Sequence, residues 1–174
     1  MAVELYRQRS LRVVVSVNIE TRVFPAGDGQ YVEDAWALKE RIRREEGWLR
    51  QRKGFFMDAY TRAKTYALVE SGLEETLVGF ASVRRDGYIL FLAVDPDRRH
   101  EGLGRRLIAE VARDHSSVSC HARTTNQEAI EFYQTVGFEI QRRVDNYYED
   151  RGDAYYLRLG EGGLREKLSK FIHR

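Results

Sequence analysis

The chain has 174 residues, with 29 basic and 27 acidic side chains giving a formal net charge of +2, and one cysteine. That length suits one domain over residues 1–174, burying roughly 70% of the surface its unfolded chain exposes, and the 43% hydrophobic and 32% charged fractions are those of a globular chain, not a disordered one. The balanced charge makes no strong case for nucleic acid or a membrane, one cysteine excludes an intrachain disulfide and a cysteine-rich zinc site, and with no membrane-length apolar run or secretion signal the expected location is the cytoplasm.

Residues 11–24 alternate, with Val13, Val15, Val17, Ile19, Thr21 and Val23 on one side. This predicts one long half-buried strand or two joined at a bend, so residues 1–18 are expected to carry a strand extension. The spacing of Val32, Ala35, Trp36, Ile42 and Leu49 predicts helix over 31–51, divided at Gly47. Its basic run, from Lys39 through Arg41, Arg43, Arg44, Arg50 and Arg52 to Lys53, reads as a solvated face; docking to an acidic partner is the alternative. Strands are expected at 65–70 and 76–84, and Asp86-Gly87 marks a hairpin into a third at 88–94.

After that strand, Asp95-Pro96-Asp97 breaks the chain, and a helix restarts with Gly102 and Gly104 in its first turn. A helix start presents unpaired N–H groups and the positive end of its dipole, and glycines let an anion approach the main chain. Arg99 and Arg105 add positive charge; glycines chosen only for packing are the competing reading. Leu103, Leu107, Ile108 and Val111 give this helix one apolar face. A strand over 118–123 then sets Val118, Cys120 and Ala122 against Ser119, His121 and Arg123, and strand, helix and strand together predict a right-handed crossover with parallel strands. Thr125-Asn126-Gln127-Glu128 has the form of a capping box opening a helix that stops at Gly137. Strands at 138–144 and 154–159 follow, and an amphipathic helix is expected over 164–172 within a C-terminal segment at 160–174.

Two of these segments resemble the GNAT superfamily of N-acetyltransferases. Arg99-His-Glu-Gly102-Leu-Gly104 is similar to that family's R/Q-x-x-G-x-G/A pyrophosphate loop, and residues 126–138, from Asn126 through Ala129 and Tyr133 to Gly137-Phe138, are similar to its N-x-x-A-x-x-x-Y-x-x-x-G-F helix. His100 and Glu101 depart from the pattern, standing where a glycine and a basic residue are common. The resemblance implies an α/β (α+β) fold with a mixed, twisted sheet, flanked by helices, in which the strands at 88–94 and 118–123 splay apart. It also implies acetyl-coenzyme A as acetyl donor in that gap, with pantetheine along Leu92, Ala93 and Val94 and the diphosphate on the segment Arg99, His100, Glu101, Gly102, Leu103, Gly104 and Arg105. Asn126 and Tyr133 complete the implied cofactor contacts, and no metal is called for.

Acetyl transfer to an amine needs a base for the amine, support for an oxyanion and a proton for the departing thiolate. Tyr133 matches the family's proton-donor position; without the motif it would be read as part of its helix's apolar stripe. His121 matches a strand position that often holds the base in N-terminal acetyltransferases, and its alternative is a structural strand histidine. His100, His115 and His173 are expected to be solvated, and Cys120 to point away from His121. Tyr147 and Tyr148 lie in a loop similar to the segment that closes over the acceptor in ribosomal-protein alanine acetyltransferases. The expected acceptor is therefore a peptide or protein N-terminal amine, with a small amine or lysine as runner-up. A non-catalytic coenzyme A-binding regulatory module and, last, a nucleic-acid binder using the basic helix are the readings from other classes.

Overall fold

The computed structural model describes residues 18–160. The expected strand over residues 11–17, the helix over 164–172 and His173 lie outside them.

Four strands, β1 (Asn18–Phe24), β2 (Lys64–Ser71), β3 (Thr76–Val83) and β4 (Ile89–Val94), form one antiparallel sheet in the order β1-β2-β3-β4. Three more, β5 (Ser119–Arg123), β6 (Phe138–Val144) and β7 (Ala154–Leu159), form a second in the order β5-β7-β6. Among the described residues the two sheets are joined by an isolated parallel bridge, Tyr88 to Ser119. The expected splayed pair is therefore β4 and β5, and the splay divides what was expected as one mixed sheet into two. Bulges between Leu68 and Val69 and between Ser82 and Val83 interrupt the ladders of the first sheet, and such irregularities increase local twist.

Helices α1 (Val32–Glu46) and α2 (Lys53–Arg62) cover one face of the first sheet, where Ala35, Ile42, Phe56 and Tyr60 pack on Ala67, Phe80, Phe91 and Ala93. Helices α3 (Leu103–Asp114) and α4 (Gln127–Val136) share the other core, in which Leu107, Ile108 and Val111 meet Cys120, Tyr133, Phe138 and Leu157. Alternation along β4 sends Phe91 and Ala93 to the first layer, while Leu92 and Val94 pack against the second.

Three sequence-based expectations shift. Gly47, at φ 79, ends α1 rather than dividing a helix that runs to residue 51, and the next helix is α2, which the reading by periodicity left unassigned. Its buried residues are Phe56 and Tyr60, one turn apart in a ten-residue helix, too few contacts to show a clear period. Asn126, not Thr125, caps α4, its side chain accepting from the Ala129 N–H at 3.1 Å. Lys39 belongs to the core side of α1: it is fully buried, its amine donating to the Gln51 carbonyl and lying 4.4 Å from the centre of the Trp36 ring.

Gly87 makes the junction between the sheets possible. It sits at φ +82, its carbonyl accepts from the Ser119 N–H at 3.2 Å, and a Cβ there would stand 1.8 Å from the Ser117 carbonyl oxygen. Gly87→Ala is expected to destabilise the protein by about 2–4 kcal/mol in urea unfolding, through backbone strain and a clash with main chain that cannot yield locally.

Candidate active site

The loop between β4 and α3 is held by ion pairs before it reaches its glycines. Asp95 caps a 3-10 turn at Pro96–Arg98 by accepting from the Asp97 N–H, and Arg41 of α1 reaches Asp95 at 2.8 Å and Asp97 at 3.1 Å. Arg98 pairs with Glu70 of β2 and with Glu101, and Arg99 makes a two-pronged pair with Glu46 at the end of α1. Two of the loop's arginines are thus engaged by carboxylates, and Glu101 is matched by Arg98. Part of the basic run in α1 serves the same purpose, since Arg41 anchors the loop instead of forming a merely solvated face.

What the loop offers an anion is main chain. The first helical bond of α3 runs from the Arg106 N–H to the Gly102 carbonyl at 3.0 Å, so the N–H groups of Leu103, Gly104 and Arg105 precede any intrahelical acceptor. Gly102 takes φ +79, and a Cβ there would meet nothing within 4 Å, so that approach is open. Gly104 has a different reason: its Cβ would lie 3.0 Å from the Phe132 ring of α4. His100 also adopts a left-handed backbone, φ 63, a conformation that glycine takes without cost and histidine only under strain.

Past the Tyr88–Ser119 bridge, Leu92, Ala93 and Val94 pair with Ala81, Phe80 and Gly79 of β3 on one edge, and β5 pairs with β7 on one edge. The facing edges of β4 and β5 are left to bond something other than each other, as an extended pantetheine could. With the glycine-lined start of α3, this geometry fits acetyl-coenzyme A. Asn126, which follows the end of β5, has its side-chain oxygen engaged by the helix cap.

The two sides of the gap carry different chemistry. On the α4 side Tyr133 is 8% exposed, ringed by Phe132 and Phe138, with its hydroxyl against the Cys120 thiol. Burial holds its phenol well above the ordinary pKa, so it keeps its proton at neutral pH; burial also pushes the Cys120 thiol up to about 12. Cys120 faces away from His121, as alternation requires.

On the opposite side His121 Nδ1 shares a 2.8 Å hydrogen bond with the Tyr88 hydroxyl, which lies 3.1 Å from the Tyr147 hydroxyl. The Tyr147 ring stacks on the imidazole at 4.1 Å and 10°, and Tyr156, opposite His121 in the β5–β7 register, lies at 5.1 Å. Burial, followed by the charge of Arg142, lowers the His121 pKa below its ordinary value and favours a neutral ring. Tyr148 packs beneath the Arg123 guanidinium at 3.9 Å, and Arg123 and Arg50 share the Asp150 carboxylate at 2.9 Å each. That carboxylate ties the loop after α1 to the loop between β6 and β7.

Tyr133 thus lies against Cys120 on the α4 side of β5, while His121, Tyr147 and Tyr148 lie on its other side, and residues 92–94 and 99–105 belong to the strand that parts from β5 and the loop after it. The expectation that His115 is solvated changes: its ring lies 3.1 Å from the Val111 carbonyl and is half-buried. Tyr88 was missed in the sequence because it belongs to no motif; its one visible signal was its place at the start of the strand expected over 88–94, where the structure sets it in the bridge to Ser119. Among the described residues no three His, Cys, Asp or Glu side chains are grouped to hold a metal ion, and no helix is long and apolar enough to cross a membrane.

Residues 62–140 match the family profile of the acetyltransferase (GNAT) domain. The peptidyl-lysine N-acetyltransferase YjaB of Escherichia coli is 30% identical over 135 residues, covering 67% of this chain and 90% of that protein. The N-alpha-acetyltransferase RimI of Mycobacterium tuberculosis is 36% identical over 98 residues, covering 50% of this chain and 61% of that one. Among solved structures, Ard1 of Thermoplasma volcanium has a TM-score of 0.61 at 26% identity, covering 82% of this chain and 98% of that one. The chain belongs to the GNAT acetyltransferase family. It spans from 22% to 29% of the length of longer curated relatives that it also matches.

Tyr147 is 42% exposed and covers the imidazole. Tyr147→Ala is expected to raise the His121 pKa toward the ordinary value of about 6.5, because it readmits water to the ring. An NMR titration of the His121 ring protons reads the shift directly. The same depressed pKa means that the neutral ring's contribution to stability is complete above about pH 6.5 and is lost as pH falls below it.

Proposed function

We propose that the chain transfers an acetyl group from acetyl-coenzyme A to a primary amine, and that the amine is the N-terminus of a peptide or protein. The observation that carries this is the gap between β4 and β5, with a protonated tyrosine on one side and a neutral, hydrogen-bonded histidine on the other. The similarity to an N-alpha-acetyltransferase supports the acceptor class, while similarity to a peptidyl-lysine acetyltransferase keeps lysine as the second reading.

The donor supplies an activated acyl carbon; the rest of the chemistry falls to side chains and main chain. Amides 103–105 hold the diphosphate with the open backbone at Gly102, and the free edge at Leu92, Ala93 and Val94 aligns the pantetheine arm and offers an N–H to the acyl oxygen. His121 takes a proton from the acceptor ammonium. For Nε2 to serve as the base, Nδ1–H donates to the Tyr88 oxygen, and Tyr88 in turn donates to Tyr147. The amine then forms the C–N bond as the C–S bond breaks; Tyr133 delivers its proton to the thiolate, the new amide nitrogen sheds its second proton to water, and Tyr133 is reprotonated from solvent before the next turnover. Arg99, His100 and Glu101 shape the loop more than they bind the ligand, since Arg99 and Glu101 are ion-paired. Tyr147 and Tyr148 line the acceptor's entry. A cytoplasmic setting belongs to the same proposal.

The test is release of free thiol from acetyl-coenzyme A with a panel of N-terminal peptides, lysine peptides and polyamines. Tyr133→Phe is expected to lower kcat by about 100-fold with acetyl-coenzyme A affinity retained. His121→Gln is expected to remove the acid limb of the pH–rate profile, which lies below pH about 6.5 in the parent protein. Donor binding without thiol release for any acceptor would instead favour the regulatory-module reading.

A further inference from the structure

On the proposed acceptor side, one cation has no carboxylate partner among the described residues. His121 on β5, Tyr156 on β7 and Arg142 on β6 are successive cross-strand partners, one row across the second sheet. The row lies on the His121 side of β5, away from Cys120 and α4. The Arg142 guanidinium rests 4.6 Å from the centre of the Tyr156 ring, whose centre is 5.1 Å from that of His121. Arg142 is exposed, and among the described residues no carboxylate pairs with it. Its neighbours do not share this state. Arg143 is satisfied by Asp145 and Asp153, Arg84 by Asp86, and Arg158 stands opposite Glu139 one row further along. Arg50 and Arg123 share a single carboxylate, Asp150.

We propose that Arg142 selects acceptors whose second residue is acidic, an inference that rests on the N-terminal amine reading above. Strands lie about 4.8 Å apart, so Arg142 stands two strand spacings, about 10 Å, from His121. An amine placed at His121 puts its second residue one peptide unit, about 3.8 Å, along the main chain, and an acidic side chain with the arginine's own stem covers the remainder. The Tyr156 ring holds the guanidinium in that position at little entropic cost. The same charge acts against cationic acceptors. It repels a lysine side chain or polyamine, and it favours loss of the proton from an α-amine, whose ordinary pKa of about 8 is already far below the 10.4 of lysine. An acidic second residue would give Arg142 the counter-charge that no carboxylate among the described residues supplies.

The experiment measures kcat/KM for a set of peptides identical except for Glu, Gln or Lys at the second position. Wild-type protein is compared with Arg142→Gln, which retains much of the stem over Tyr156, and with the charge-reversed Arg142→Glu; thermal melts establish that each is folded. The expected result is a preference for Glu over Gln of about fivefold to tenfold in the parent protein. It falls to near unity in Arg142→Gln and passes to the Lys peptide in Arg142→Glu. Equal kcat/KM for the three peptides, or a Glu preference that survives both substitutions, overturns the role of Arg142 and leaves the N-terminal reading standing. Thiol release with polyamines or lysine side chains, and with none of the N-terminal peptides, removes that reading and this inference together.

Discussion

Beyond Tyr88 and Ser119, β4 and β5 each keep a partner on one edge only, β3 for the first and β7 for the second. Parallel strands that begin side by side and then part leave two rows of main-chain donors and acceptors facing each other across a gap too wide to bridge. Everything at the site follows from that divergence. The bridge brings Tyr88 to His121, the divergence leaves room for an extended ligand, and α3, running from the end of β4 back toward β5, points its N-terminus at the mouth of the gap. Gly87 permits the bridge, since no side chain fits between it and Ser117.

The ionic network around the loop after β4 has a physical logic of its own. A diphosphate recognised by side-chain charges requires long, mobile groups to be ordered on binding, whereas one recognised by main chain finds its donors already in place. Arg41, Arg98 and Arg99 spend their charge on Asp95, Asp97, Glu70, Glu101 and Glu46, and so fix the loop in the way that the proposed recognition by its backbone requires. His100 in a left-handed conformation is part of the same rigid path. The proposed acceptor side differs, because there no carboxylate among the described residues pairs with Arg142.

Much of this was legible in the sequence. The alternation of β1 and β5, the apolar runs on either side of Asp86-Gly87 and the stop at Gly137 are local signals, and local signals survive folding. The glycines of the α3 start were legible as an anion site, although only the packed structure separates Gly102, open to a ligand, from Gly104, which makes room for Phe132. Less was legible where partners come from far along the chain. Arg99 reads as a free cation until Glu46 is brought to it, and Lys39 reads as solvated until Gln51 and Trp36 enclose it. Tyr88 carried no motif, and only the parallel bridge places it on His121. The helix α2 was hidden because its burial rests on two aromatic residues and its first turn holds Gly54.

The central claim, that the gap between β4 and β5 receives the acetyl donor, is tested most directly by amide hydrogen exchange with and without coenzyme A. Added coenzyme A is expected to slow exchange at residues 92–94 on the free edge of β4 and at 103–105 at the start of α3, with β1 and β2 unchanged. Unaltered exchange at both sites under saturating coenzyme A, or protection confined to another part of the molecule, would contradict it.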